Sequence, residues 1–115
     1  MPATLSISSN VVTVDLTRGQ TFELTADSNV DEFVLTNVPS ASSTAFTIKV
    51  TQGSTARTVN IDTFKTSGGG TIPVRWPGGV VPVVTPSANA IDVYSFMTFD
   101  GGSTLYGVIG GQNFS

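Results

Sequence analysis

Apolar residues in this chain recur at every second position within short segments, and this spacing constrains the fold more than any other feature. In residues 12–16, 22–25 and 46–50, apolar side chains alternate with Thr, Asp, Glu or Lys. Successive side chains of a β-strand point to opposite faces, so each such segment buries one face and exposes the other. Similar short runs, bounded by turn-forming residues, lie at 5–7, 33–35, 59–61 and 72–74.

Helical spacing is not sustained over three turns anywhere in the sequence, and β-branched Thr and Val are abundant. The sequence therefore predicts an all-β fold, an antiparallel β-sandwich or jelly-roll-like barrel of about eight short strands. A chain of 115 residues makes one domain, spanning 1–115. Residues 110–115 are glycine-rich and are interpreted as a possible C-terminal arm.

The last two strands are predicted to form a hairpin. Residues 90–99 and 104–109 are joined by Asp100-Gly101-Gly102-Ser103. Glycine takes the positive φ angles that tight turns require, which favours a hairpin at this point.

The C-terminal half is almost uncharged, and this indicates an interface. Between Gly68 and Phe99 only Arg75 and Asp92 are ionised, and residues 91–99 are apolar on both faces. Such a strand is either central between two sheets or wedged against another chain, and both alternatives stay open. The residues predicted to form the interface are Trp76, Pro77, Val80, Val81, Tyr94, Phe96, Tyr106 and Phe114.

Charge and composition argue against several classes of partner. Charged residues make up 11% of the chain, the net charge is -3, and the five basic residues are scattered. Nucleic acids and anionic membranes need clustered cations, so neither is an expected partner. The N-terminus lacks the basic start and apolar stretch of a signal peptide, which predicts synthesis in a cytoplasm without secretion. With no cysteine, stability must come from packing or association.

Candidate catalytic and metal-binding residues are few. The chain has no His and no Cys, which removes the commonest general base and the thiol nucleophile. Asp92 and Asp100 lie roughly 26 Å apart along one extended strand, too far for a paired-carboxyl mechanism. Residues 27–31 resemble the start of a calcium loop, but Glu32 and Val38 break that pattern. We therefore predict no enzymatic activity, no metal and no cofactor.

Three aromatic side chains have a second interpretation as glycan contacts. Trp76 could stack on a sugar, although a packed anchor is favoured for the single Trp of the chain. Tyr94 and Tyr106 could also contact glycans, with a core or interface role favoured. Arg75 and Asp92 form a candidate ion pair, with separate solvation equally plausible.

The order of turn and strand residues in the C-terminal half also resembles a known family. The positions that carry the resemblance are Trp76, Gly78-Gly79, Pro82, Thr85, Asp92, Tyr94, Phe96, Thr98, Asp100-Gly101-Gly102, Tyr106-Gly107 and residues 111–114. In this order they are similar to a β-rich module of tailed-bacteriophage virion proteins, including those of cyanophages and other marine phages. The segments 12–16, 22–25, 33–39 and 46–52 fall in the expected order too.

The resemblance implies a virion structural protein, made in the bacterial host cytoplasm. The favoured form is a capsid decoration, or cement, protein that binds the outer shell as a homo-oligomer, preferably a trimer, and contacts the major capsid protein. The alternative is a tail-fibre or tail-spike adhesin module that binds host-surface glycan. Because strand pattern begins close to Met1, a complete gene product without a fibre shaft is expected, which favours decoration.

Overall fold

The structure is a computed structural model, and it describes residues 3–39 and 43–114. These residues contain eleven β-strands and two short 3₁₀ turns. The strands are β1 Ala3–Leu5, β2 Ile7–Ser8, β3 Val11–Asp15, β4 Thr21–Ala26, β5 Glu32–Thr36, β6 Thr44–Gln52, β7 Phe64–Thr66, β8 Thr71–Ile72, β9 Val74–Arg75, β10 Ile91–Thr98 and β11 Leu105–Phe114. The turns are Leu16–Arg18 and Pro77–Gly79. Sheet A has the strand order β1-β4-β6-β10-β11-β9, and sheet B has the order β2-β3-β5-β7-β8.

From β3 to β7 the chain alternates between the two sheets. Strands β3, β5 and β7 belong to sheet B, whereas β4 and β6 belong to sheet A. Each connection crosses to the opposite sheet, so the chain returns to the first sheet running in its original direction. Accordingly β1, β4 and β6 are parallel neighbours, and so are β3, β5 and β7. The N-terminal half is therefore wound like a coil, with one strand in each sheet per turn.

Antiparallel strands close this coil. Strand β8 pairs with β7, while β10 pairs with β6 and then with β11. The predicted hairpin is confirmed, since β10 and β11 are antiparallel neighbours. In its turn Gly101 and Gly102 have φ angles of 72° and 96°. The Asp100 carboxylate accepts hydrogen bonds from the backbone N–H groups of Ser103 and Thr104, which fixes the turn.

The all-β prediction is confirmed, but the prediction of an antiparallel arrangement of about eight strands is wrong. Five of the nine strand pairings in the described residues are parallel, and the strands number eleven there. One-sided alternation is typical of antiparallel sheets, because parallel sheets usually have both faces covered. Here the coil leaves the outer face of each parallel ladder uncovered, so the alternation did not report strand direction.

Aromatic side chains join the inner faces of the two sheets. Phe64 of sheet B lies 4.8 Å from Phe96 and 6.2 Å from Phe46, both of sheet A, measured between ring centroids. Phe33 stacks on Phe64 within sheet B at 5.1 Å. All four side chains are buried, so these rings form the centre of one shared core.

One row of residues across sheet A includes a glycine, and the Trp76 ring fills the space that a side chain there would occupy. Phe46, Phe96 and Gly107 are aligned across β6, β10 and β11. The ring of Trp76, which follows β9, lies where a side chain at Gly107 would be. The indole packs edge-on against Phe96 and Tyr94, at centroid distances of 5.6 and 6.5 Å. Gly107 is therefore required so that Trp76 can complete the core.

Replacement of Gly107 by Ala tests this packing. A Cβ at this position would lie 2.5 Å from the Trp76 ring. We expect Gly107→Ala to lower the free energy of unfolding by about 1 to 3 kcal/mol, as overpacked cores do. Urea unfolding followed by Trp76 fluorescence measures the change.

Gly53→Ala is the matched control, because the nearest atom to its new Cβ would be a carbonyl oxygen at 3.8 Å. A destabilisation of equal size in both variants would contradict the specific role of Gly107.

Candidate functional site

Three of the predicted interface residues lie in the core. Tyr94 and Phe96 have no exposed surface, and Trp76 is 7% exposed. Tyr94 and Phe96 cannot contact a second chain in this fold, so their assignment to an interface is corrected. Of the two faces of residues 91–99, one packs against sheet B and the other lies at the surface. The alternation in the sequence does not show which of the two faces is buried and which is exposed.

Trp76 has the geometry of a packed anchor. Its indole Nε1 donates a hydrogen bond to Asp62 Oδ1 at 2.6 Å, and its ring lies against Gly107. The polar end of the indole is thus satisfied while the ring fills the core. The structure supports the anchor interpretation over the sugar platform.

The other predicted residues, Pro77, Val80, Val81, Tyr106 and Phe114, are at the surface. Val80 is 70% exposed. The Phe114 ring folds over Gly111 of its own strand and remains half exposed. Residues 110–114, interpreted from the sequence as an arm, form the second half of β11, and residue 115 is outside the described residues.

An exposed apolar patch occupies the outer face of the β10–β11 hairpin. We call it the outer patch and define it by Met97, Phe99, Tyr106 and Val108, which are 39%, 61%, 41% and 38% exposed. Met97 is directly opposite Tyr106 in the strand register, and the rings of Phe99 and Tyr106 lie 5.6 Å apart. The patch therefore presents one thioether, two aromatic rings and one aliphatic side chain, three of them on the paired strands β10 and β11 and Phe99 directly after β10.

Only Tyr106 of the outer patch was predicted from the sequence. Met97 and Phe99 were apolar residues of the right strand, but they alternate with buried Phe96 and Thr98 and so face outward. The alternation of the sequence does place Met97 and Phe99 together on one face of the strand, because every second side chain points the same way. What the sequence lacked was the information that sheet B covers the opposite face.

The outer face of sheet A is polar across β4 and β6, whereas Ile91 and Val93 of β10 lie partly buried on the same face. Across β4 and β6 it carries Thr side chains and an ion pair between Lys49 Nζ and Glu23 Oε1 at 3.0 Å. The Thr47 and Ser95 hydroxyl groups share a hydrogen bond of 3.0 Å on the same face. These polar side chains lie on the β4–β6 side of the outer patch.

A groove runs beside the outer patch, between β11 and the Pro77–Gly79 turn. Its volume is about 500 Å³, and its lining consists of Arg75, Trp76, Pro77, Gly79, Tyr106, Gly107 and Val108. Arg75 is the only ionised residue of that lining. The groove thus offers a guanidinium group next to a tyrosine ring and an aliphatic side chain.

Two buried polar residues hold the long segment between β9 and β10. The Gln52 amide donates hydrogen bonds to the carbonyl oxygens of Arg57 and Thr85 at 2.9 and 3.1 Å. Its Oε1 accepts one from the Arg57 backbone N–H at 2.9 Å. Because Thr85 lies within the segment, Gln52 fixes its path across the end of the core.

Asp92 holds the same segment from the other side. Its carboxylate accepts hydrogen bonds from the Thr85 backbone N–H and hydroxyl, the Tyr94 hydroxyl and the Asn113 backbone N–H, at 2.7 to 2.8 Å. Burial acts to raise the pKa of Asp92, but these hydrogen bonds outweigh it and lower the pKa below its usual value. Burial and the adjacent carboxylate raise the pKa of Tyr94. Asp92 thus takes its partners from Thr85, Tyr94, Asn113 and, at 3.4 Å, the Gln112 amide, and not from Arg75.

Other site classes find little support in the described part of the chain. No group of three or more acidic side chains there gathers where it could hold a metal ion. Neither 3₁₀ turn in residues 3–39 and 43–114 is long and apolar enough to cross a membrane.

Comparison with known proteins leaves the chain without a match. No protein-family model matches it, and no significant match was found among curated proteins or solved structures. A functional assignment must therefore be argued from the surface described above and from the residue pattern of the sequence.

Removal of the Asp92 charge tests the role of the buried network. In Asp92→Asn the new amide N–H₂ faces groups that already donate, so we expect a loss of about 2 to 3 kcal/mol in the free energy of unfolding. The ionised carboxylate stabilises the wild type above the unfolded-state pKa of about 4, and this contribution is lost as the pH falls through the lower folded-state pKa.

The variant should consequently lose less stability than the wild type on acidification. Urea unfolding of both proteins across this pH range checks the expectation. Asp27→Asn, which changes an exposed carboxylate, serves as the control and should behave as the wild type. Equal acid sensitivity of wild type and Asp92→Asn would contradict the network's role.

Proposed function

We propose that this protein is a structural component that binds another protein assembly through its outer patch. The observation that carries the proposal is the concentration of Met97, Phe99, Tyr106 and Val108 on one surface. Aromatic residues and Met are enriched in the cores of protein interfaces, where charged residues are depleted. Their exposure on a small domain with many other apolar residues already buried is typical of a docking surface.

The assembly we propose is the outer shell of a tailed bacteriophage. This step rests on the resemblance of the C-terminal residue order to virion modules. In this role the chain is a capsid decoration protein, located on the virion, and its partner is the major capsid protein. A protein that binds only the assembled lattice stabilises that lattice by its binding free energy.

We also propose that the two sheets form a β-sandwich of mixed strand direction. Support comes from Phe64, which reaches across from sheet B to Phe46 and Phe96 of sheet A. The inner faces of both sheets contribute to one core cluster. In this arrangement the outer face of sheet A is free to carry the docking surface.

A second candidate function is a glycan-binding module of a tail fibre or spike. The groove beside the outer patch favours it, because Arg75 and Tyr106 combine hydrogen-bond donors with an exposed ring. Sugars bind to such combinations through stacking and polar contacts. Trp76 is only 7% exposed, so little of its ring is available to a sugar, which makes the alternative weaker than docking to protein.

The first experiment is the copy number of the chain in purified virions, relative to the major capsid protein, by quantitative mass spectrometry. A fixed fraction of the shell subunits supports decoration. A few to a few tens of copies supports the tail-fibre alternative. Absence of the chain from particles overturns both.

Phe99→Lys tests the docking surface directly. We expect it to reduce binding to shells that lack the protein by about ten-fold or more, because it places a charge in the apolar patch. Thr25→Lys adds the same charge to the outer face of sheet A, away from the patch, and should bind as the wild type. Binding is measured by co-sedimentation with shells, and equal binding of both variants would overturn the assignment of the patch.

A further inference from the structure

Four residues of neighbouring strands are aligned in a row across the outer face of sheet A. Arg75 of β9 is opposite Tyr106 of β11, and Tyr106 is opposite Met97 of β10. Met97 in turn is opposite Ala45 of β6. Side chains in register on adjacent strands point to the same face of a sheet. All four residues are exposed, so they present one continuous surface, which we call the outer row.

The outer row changes in chemical character from one end to the other. It begins with the guanidinium group of Arg75, continues with an aromatic ring and a thioether, and ends with the small side chain of Ala45. Tyr106 and Met97 belong to the outer patch, so the outer row extends that patch in both directions. One end of the row is therefore cationic, and the rest of it is uncharged.

Arg75 has no ionic partner within the described part of the chain. The ion pairs in residues 3–39 and 43–114 each join a Lys to a Glu. Asp92 is buried and accepts its hydrogen bonds from other groups. Arg75 also contributes the only charge in the lining of the groove beside β11, where Pro77 and Val108 are its neighbours. A guanidinium group in such surroundings favours a carboxylate, because it donates two parallel charge-assisted hydrogen bonds to it.

The opposite end of the outer row opens into a second groove. This groove has a volume of about 280 Å³, and its lining includes Ala45, Met97 and Phe99. The described residues of the lining are all uncharged. Because the side chain of Ala45 ends at Cβ, it leaves room on the sheet face for a bulky side chain of a partner. We call this space the neutral groove.

We propose that the outer row binds an extended segment of a partner protein that crosses the strands, with a carboxylate on Arg75 and a bulky apolar side chain in the neutral groove beside Ala45. The inference rests on the proposed docking function and adds the chemistry that the docked segment must carry. Neighbouring strands lie about 4.8 Å apart, so the three spacings from β9 to β6 cover about 14 Å. An extended chain rises about 3.3 Å per residue, so the acidic and the apolar residue are about four positions apart. Residues at an even separation point to the same side of an extended chain, as binding to a sheet face requires.

A protein segment fits the middle of the outer row better than a sugar does. Met97 and Tyr106 adjoin the exposed side chains of Phe99 and Val108, so this area gains most from contact with apolar groups. Sugar hydroxyl groups placed against the Met97 thioether would lose water without gaining good hydrogen-bond partners. A single charge at one end of the row also fixes the orientation of the bound segment.

The first test is selection from a yeast-displayed library of random short peptides on the purified wild-type protein. We expect enrichment of peptides with Asp or Glu about four positions from a bulky apolar residue. Selection on Arg75→Gln should lose the preference for an acidic residue and keep the preference for the apolar one. Absence of this pattern from the wild-type selection overturns the proposal.

Fluorescence anisotropy of an enriched peptide then measures the carboxylate contact. We expect Arg75→Gln to weaken binding by about ten-fold or more, because the charge-assisted hydrogen bonds are lost. Lys65→Gln removes an equal charge from β7 in the opposite sheet and should bind as the wild type. Conversion of the acidic residue of the peptide to its amide should weaken binding to the wild type and have little further effect on Arg75→Gln. Equal affinity of Arg75→Gln and the wild type overturns the proposal.

Ala45→Phe tests the other end of the outer row. The position is exposed, so the fold should be kept, as checked by circular dichroism. The new ring fills the neutral groove, and we expect peptide binding to weaken by about ten-fold. Thr25→Phe, at an exposed position of β4 outside that groove, is the control and should bind as the wild type. Unchanged affinity of a folded Ala45→Phe variant overturns the proposal.

Shell binding separates the failure of the peptide site from the failure of the proposed function. If shells bind wild type and Arg75→Gln equally, the docking function stands and the carboxylate contact is overturned. If the wild type selects the expected peptides but does not bind shells, the peptide site is supported and the decoration function is overturned. Binding of carboxylated sugars on a glycan array, lost in Arg75→Gln and without the peptide pattern, overturns the peptide site in favour of the glycan-binding function.

Discussion

Contact between the inner faces of the two sheets is the constraint on which the rest of the structure depends. Each strand of the parallel ladders has one apolar face, so neither sheet is stable until the other covers it. Phe64 makes the central contact, since its ring touches both Phe46 and Phe96 of the opposite sheet. The winding of the N-terminal half follows from the same need, because a chain that crosses between sheets at every connection builds both inner faces together.

The segment between β9 and β10 completes the core from one side. Trp76 fills the space above Gly107, and the buried side chains of Gln52 and Asp92 hold Thr85 by hydrogen bonds. Burial of a carboxylate is costly, but here each of its strong acceptor positions has a donor. These contacts leave the apolar residues of the outer patch and of the β11 edge at the surface, where no described residue covers them fully.

The face and the edge of the β10–β11 hairpin are not equally suited to contact with a partner. On the face, Phe99 and Tyr106 offer side chains to a partner of complementary shape, as the decoration proposal requires. At the edge, a register shift between Ile109 and Gly111 interrupts the regular alternation of backbone groups. The side chains of the face are therefore better suited to a docking contact than the backbone groups of the edge.

The sequence alone determined the all-β class, the position of the final hairpin with its Asp100-Gly101-Gly102-Ser103 turn, and the apolar character of the C-terminal half. These properties are local, since they follow from alternation and from the φ angles that glycine allows. The tertiary structure decided the strand directions, because alternation is the same in parallel and antiparallel ladders. It also decided which apolar residues are buried, because only the position of sheet B turns Tyr94 and Phe96 inward and leaves Met97 and Phe99 outside.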